Sequence, residues 1–151
     1  MLRSARNSSL SSKRVLLVAD SRRVADRIAE QLRRYDLVDV DVVRDGQETI
    51  DYLLRSAAYA QRAPSEPVLI LLDLGSADAA ARQLLQRLKS EPRTKTIPVV
   101  MLASSDLARD VTAGYDLGAN AYVVKPTASS KLAETIAEVT RFWLGVNRPP
   151  P

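Results

Sequence analysis

The chain has no cysteine and no histidine in 151 residues. Disulfides, zinc–thiolate centres, thiol nucleophiles, Ser-His catalysis and imidazole general bases are therefore all excluded. Glycine is scarce, five in all, and the turn after the first apolar run reads Asp20-Ser21-Arg22-Arg23. A glycine-rich cradle for a pyrophosphate is missing there, which sets aside nucleotide and flavin binding. No segment approaches the roughly 18 to 20 consecutive apolar residues that cross a membrane. No apolar stretch follows the basic N-terminus as a signal peptide requires. The expectation is a cytoplasmic protein with no membrane contact. Any site must be built from Asp, Glu, Lys, hydroxyls and backbone, a set that suits hard cations such as Mg²⁺ and phosphoryl groups.

The formal net charge is +4, from 22 basic and 18 acidic residues. Arg3, Arg6, Lys13 and Arg14 lie ahead of any acid, so they account for the whole excess and the rest of the chain balances. Residues 1–13 read as a disordered basic tail, 14–144 as one folded domain, and 145–151 as a flexible proline-rich C-terminus. Hydrophobic residues make up 46%, enough for a full core in a single domain.

The organising stretch is Val68 to Leu72, five consecutive apolar residues ending at Asp73. Such a run reads as a strand buried on both faces, in the middle of a parallel sheet. Ligands of open parallel sheets bind beyond the carboxyl ends of the strands, which is where Asp73 falls. Taken alone, Asp73 could equally start a turn or cap a helix. Two other strands decide between these readings. Val15 to Ala19 also stops at an acid, Asp20, and Ala121 to Val124 stops at Lys125-Pro126.

Between these runs the chain alternates strand and helix. Ser21 opens a helix with Val24, Ile28 and Leu32 on one side. Residues 38–43 alternate with period two, as on an edge strand with one buried and one wet face. Gly46 precedes a helix from Gln47 to about Ala60 carrying Ile50, Leu53, Leu54 and Ala57. A polar connector follows, Gln61 to Glu66 with Pro64. Ser76 or Asp78 caps a helix carrying Ala81, Leu84, Leu85 and Leu88, which stops near Glu91-Pro92. Ile97 to Ala103 is an interior strand, followed by cap candidates Ser104, Ser105 and Asp106 and a helix with Val111 and Tyr115 inward, stopped by Gly118. A last helix from about Ser129 to Leu144 has Leu132, Ile136, Val139 and Trp143 as its stripe.

Five strand–helix units demand an α/β, three-layer, doubly wound (βα)5 flavodoxin-like fold with right-handed crossovers. With the alternating strand on an edge, the order 2-1-3-4-5 puts the ends of strands one and three side by side. Asp20, Asp73 and Lys125 then gather on one rim. At about 4 Å, Lys125 and Asp73 attract by roughly 4 kcal/mol before desolvation.

With those residues in place, the chain from about Lys13 to Leu144 resembles a response regulator receiver domain, the phosphoacceptor half of a two-component signalling pair. The apolar run ending in Leu72-Asp73-Leu74 and the intervals from Asp73 to Lys125-Pro126 carry the resemblance. The long connector before the third strand and the Phe142-Trp143-Leu144 ending resemble single-domain regulators paired with bacterial phytochrome kinases. The resemblance implies that Asp73 accepts a phosphoryl group from a sensor histidine kinase. It further implies that Asp20, Asp73 and the Gly75 carbonyl bind Mg²⁺, that Lys125 contacts the acyl phosphate, and that Tyr122 is the switch aromatic. The Lys125-Pro126 peptide is commonly cis in the family. Such a protein is not an enzyme beyond Mg²⁺-dependent self-phosphorylation and dephosphorylation.

Two positions depart from the family pattern. The usual first acid of the strand-one pair is Ala19, which removes a negative charge a few ångströms from the ion and weakens Mg²⁺ binding by on the order of a few kcal/mol. The hydroxyl residue usual at the end of strand four is Ala103. Ser104 is adjacent, but one residue along a strand points to the other face. The rival reading is therefore a degenerate receiver that acts as a phosphorylation-independent protein scaffold. No DNA-binding or other output domain is expected after residue 144, so a signal leaves through protein contacts. Phe142, Trp143 and Leu144 are the expected interface of a homodimer formed through the strand 4 to helix 5 side.

Overall fold

A computed structural model describes residues 13–63, 66–74 and 78–151. The expected basic tail, the connector proline Pro64, and the caps Ser76 and Asp78 lie in whole or part outside the described residues. Five strands, β1 (Lys13–Ala19), β2 (Val38–Val43), β3 (Leu69–Asp73), β4 (Val99–Ala103) and β5 (Ala121–Val124), form one parallel sheet in the order β2-β1-β3-β4-β5. Helices α1 (Arg22–Leu32), α2 (Gly46–Leu54), α3 (Asp78–Ser90), α4 (Ala108–Asp116) and α5 (Ser129–Thr140) connect and follow them. No helix among the described residues is long and apolar enough to cross a membrane.

The two faces of the sheet have separate cores. Leu16, Val18, Ile70, Leu72 and Val99 pack under α2 and α3, whereas Val15, Leu17, Leu69, Leu71 and Val100 pack under α1 and α5. Every residue of β3 is buried, as a continuous apolar run in a central strand requires. In register, Ala19 of β1 stands opposite Asp73 of β3, so both strands end on the same rim.

The edge strand β2 differs from the expectation of one wet face. Val40 is buried in one core and Val43 in the other, because helices cover both faces of a doubly wound sheet even at its edge. The polar residue between them is satisfied within the protein. Asp41 Oδ2 accepts from Arg14 at 2.8 Å and from the Tyr52 hydroxyl at 2.5 Å. The Arg62 guanidinium lies 4.0 Å from the Tyr52 ring centre, and its Nε donates to the Tyr52 carbonyl at 3.0 Å. Tyr59 meets the Tyr52 ring edge-on at 5.2 Å and donates to Glu48 at 2.7 Å.

This network explains why α2 is shorter than the expected span to Ala60. The helix starts at Gly46 on an Asp45 cap and ends at Leu54, where Arg55 turns left-handed with φ 55°. Ser56 N–H then closes on the Asp51 carbonyl at 2.8 Å. The chain folds back so that Arg62 covers Tyr52, and Ala57 is exposed rather than inward. Helix α1 is as expected, with Ser21 accepting from Val24 N–H at 3.4 Å.

Two later helices also differ from the sequence reading. On α4 the inward residue is Gly114, and Tyr115 is 49% exposed. A Cβ on Gly114 would sit 3.0 Å from the Tyr122 ring and 3.1 Å from Met101 Sδ, so any larger residue would require those side chains to give way, and glycine favours this close approach. Past Thr140, residues Arg141–Val146 wind as a π-helix, with Asn147 N–H donating to the Phe142 carbonyl at 2.6 Å. The inward row there is Ile136, Thr140, Leu144, spaced by four. Thr140 can be buried because its hydroxyl donates to the Ile136 carbonyl at 2.7 Å.

Candidate functional site

The three charges expected on one rim come from β1, β3 and β5. Asp73 closes β3 and is 2% exposed. Lys125 follows β5 and reaches back along the rim, placing Nζ 3.0 Å from both Asp73 oxygens. The reach is fixed by the backbone, because Lys125 N–H donates to the Ala103 carbonyl at 2.7 Å. Burying a carboxylate this deeply is costly unless a cation and hydrogen bonds accompany it. The ammonium facing both oxygens meets that condition.

Asp20 is exposed, one residue beyond Ala19, whose register partner is Asp73. The rim thus pairs a buried carboxylate with a solvent-facing one on the neighbouring strand. Two carboxylate groups and water suit Mg²⁺, which retains several of its own waters and takes one or two protein carboxylates. No cluster of three His, Cys, Asp or Glu residues that could hold a metal occurs among the described residues. Gly75 lies outside the described residues. No peptide bond among them is cis, so Lys125-Pro126 is trans here, the isomer proline favours by about 0.5–1 kcal/mol.

Ala103 and Ser104 point to opposite sides of the sheet. Ala103 lines a small cavity with Leu72, Met101, Gly114 and Tyr122. Ser104 lines a cleft on the other side with Val24, Arg27, Lys125 and Leu132. The hydroxyl of Ser104 therefore does not replace one at position 103, as strand alternation requires. Tyr122 lies with its ring over Gly114, and its hydroxyl donates to the Ser105 carbonyl at 2.9 Å.

At the C-terminal end Phe142 is 48% exposed and meets Trp143 edge-on with ring centres 5.1 Å apart. Leu144, expected with them at the interface, is instead 6% exposed and packs into the core under α1 and α5. Its carbonyl accepts from Lys13 Nζ. The polar residue Thr140 interrupts the apolar row and conceals Leu144's inward place. The apolar surface here is Phe142 with the exposed Val146.

Sequence reasoning did not single out Gly114 or the Asp41–Tyr52–Arg62 network. A glycine inside a helical pattern is a recognised sign of close approach, so Gly114 was open to discovery. Nothing in the spacing of Asp41, Tyr52 and Arg62 announces that they meet.

A family model described as "Response regulator receiver domain" matches residues 15–137. Among characterised proteins the chain is 33% identical over 134 residues to "Response regulator Rcp1" of Synechocystis, covering 87% of this chain and 89% of that one. Among solved structures it is similar to the phosphorylated cyanobacterial phytochrome response regulator RcpA, with a TM-score of 0.85, 35% identity, and coverage of 93% and 100%. It is also similar to the bacteriophytochrome response regulator RtBRR, with a TM-score of 0.69, 40% identity, and coverage of 93% and 85%. A solved structure of Rcp1 is a Mn²⁺-bound form.

Proposed function

The chain belongs to the response regulator receiver domain family, and from that premise we propose that Asp73 accepts a phosphoryl group from the phosphohistidine of a sensor kinase. The observation that carries the reading is the Lys125 ammonium 3.0 Å from both oxygens of a buried carboxylate at a strand end. One Asp73 oxygen forms the new P–O bond as the bond from phosphorus to the kinase nitrogen breaks. Lys125 is then placed to meet the incoming phosphoryl oxygens. Phosphoryl transfer asks a protein for positioning and charge neutralisation more than for covalent help. Asp20 and Asp73, with the Gly75 carbonyl, would hold Mg²⁺, which neutralises charge on the transferring group. With Ala19 in place of a further acid, this binding is weak.

The similarity to phytochrome response regulators supports a bacteriophytochrome kinase as the donor. The chain is a signalling protein whose own chemistry is limited to taking up and losing the phosphoryl group. Incubation of the full chain with Mg²⁺ and acetyl phosphate is expected to add the mass of one phosphoryl group, and Asp73→Asn to abolish the gain. No gain, with acetyl phosphate or with a phosphorylated kinase, would leave the fold as a scaffold alone.

The exposed Phe142 at the end of α5 supports a homodimer through the β4 to α5 side, with the C-terminal extension contributing. Sedimentation of Phe142→Ser is expected to shift from dimer to monomer mass. Equal masses for variant and parent would remove the helix end from the interface.

A further inference from the structure

We propose that the edge of the sheet opposite the Asp73 rim carries a binding site for an extended proline segment, and that the chain's own Pro149–Pro151 fills it. The tail then straps the end of the C-terminal helix across the starts of β1, β3 and β4, whatever group Asp73 accepts. The seat is built from Pro67 and Val68, which lead into β3, and from Ile97 and Pro98, which lead into β4, and the three prolines of the tail line the same groove. Pro67, Ile97 and Pro98 are buried. All strands of the sheet are parallel, so their starts share one edge and the groove lies at the far pole from the strand ends where Asp73 meets Lys125.

The backbone groups of the seat are engaged within the domain. Val68 N–H donates to the Arg14 carbonyl at 2.9 Å and Ile97 N–H to the Thr94 carbonyl at 3.0 Å. The Ile97 carbonyl accepts from Lys89 Nζ at 2.8 Å, and the Pro98 carbonyl from Ile70 N–H at 2.9 Å. Pro67 and Pro98 have no N–H to offer. An added β-strand, which binds through main-chain hydrogen bonds, would find no ladder at these groups. A run of prolines, with no N–H of its own, leaves no donor unmet on apolar ground.

The approach to the groove supplies a second, independent argument. Lys13 Nζ, at the start of β1, donates to the Leu144 carbonyl, which holds the π-helical turn beside that strand. Asn147 then takes φ −70° and ψ 143°, the values of polyproline II. Arg148, Pro149 and Pro150 each precede a proline, which keeps them extended. Five such residues at about 3.1 Å each reach about 15 Å, against roughly 10 Å from a strand to its second neighbour. The segment therefore has the length to pass from β1 to the starts of β3 and β4, which follow it in the sheet. With φ fixed by the rings, it also gives up little conformational freedom on docking.

The test is NMR of the full chain. Nuclear Overhauser contacts between the rings of Pro149–Pro151 and the Ile97 side chain are expected within one molecule, and a sample mixing isotope-labelled with unlabelled copies is expected to show none of them between copies. In the full-length variant carrying Pro149→Gly, Pro150→Gly and Pro151→Gly together, the Val68 and Ile97 amide signals are expected to move by more than a linewidth. A synthetic peptide of residues 147–151, at the millimolar concentration that a short tether supplies, is expected to return them towards their parent positions. The same peptide is expected to leave the parent signals in place, because its groove is already filled. Val68 and Ile97 signals unmoved in the triple variant, or moved there and not returned by the peptide, would overturn the proline site. Contacts found only between copies would give the groove to the tail of a second copy and overturn the strap.

Discussion

Asp73 and Asp41 are both strand carboxylates that meet a cation, and they stand at opposite kinds of place. Asp41 lies within β2, and its Oδ2 is shared by Arg14 of β1 and Tyr52 of α2. Arg62 covers the tyrosine from the loop beyond. That arrangement closes an edge of the sheet. Asp73 lies at the last residue of β3 and presents both oxygens to an ammonium arriving from the end of β5, on the rim where the exposed Asp20 also sits. Position along the strand, more than the presence of an ion pair, separates a fastening from a site: ligands reach the carboxyl ends of parallel strands, whereas Asp41 lies mid-strand with its Oδ2 taken up by Arg14 and Tyr52.

Substitutions at the two places should break apart on two readouts, stability and phosphoryl uptake. The largest effect is expected from Lys125→Met, which leaves the buried Asp73 carboxylate without its ammonium. Denaturant unfolding should show a loss of about 3 kcal/mol, and uptake from acetyl phosphate should fall at least tenfold. Tyr52→Phe removes one hydrogen bond to a charged acceptor. It should cost about 1–2 kcal/mol and leave phosphoryl uptake unchanged, and an uptake defect in this variant would erase the distinction between fastening and site.

A smaller effect appears at alkaline pH. Burial, and then the hydrogen bond to Asp41, push the Tyr52 hydroxyl up to about 12. Burial and the bond to Glu48 do the same for Tyr59. The folded protein therefore holds these protons after the unfolded chain, titrating near pH 10, has released them. Their contribution is fully present below about pH 10 and is lost as pH rises towards 12, at up to roughly 1.4 kcal/mol per pH unit for the buried Tyr52 and by less for Tyr59, whose partial exposure lets solvent screen it. Chemical denaturation from pH 9 to 12 should show a shallower decline in Tyr52→Phe than in the parent. Equal slopes would mean that Tyr52 titrates as it does in the unfolded chain.

The sheet order and the meeting of Asp73 with Lys125 were readable because apolar runs that end in charges carry two messages at once, burial and rim position. The end of α2 was not, since Arg55 takes a left-handed conformation with no glycine to announce it. Nor was the pairing of Asp41 or the burial of Thr140, polar residues whose partners spacing does not reveal. Tyr115 was placed inward on its apolar character, although Gly114 beside it is the residue that faces the sheet. Local pattern reports what a residue prefers, and these four positions depend on what it meets.

On the reading proposed above, the functional carboxylate is Asp73, at the end of β3. Acetyl phosphate treatment with Mg²⁺, followed by borohydride reduction of the acyl phosphate and peptide mass mapping, locates the modified residue. Homoserine is expected at position 73 and at no other aspartate. Homoserine at Asp20 or Asp41, with position 73 unmodified, would contradict it.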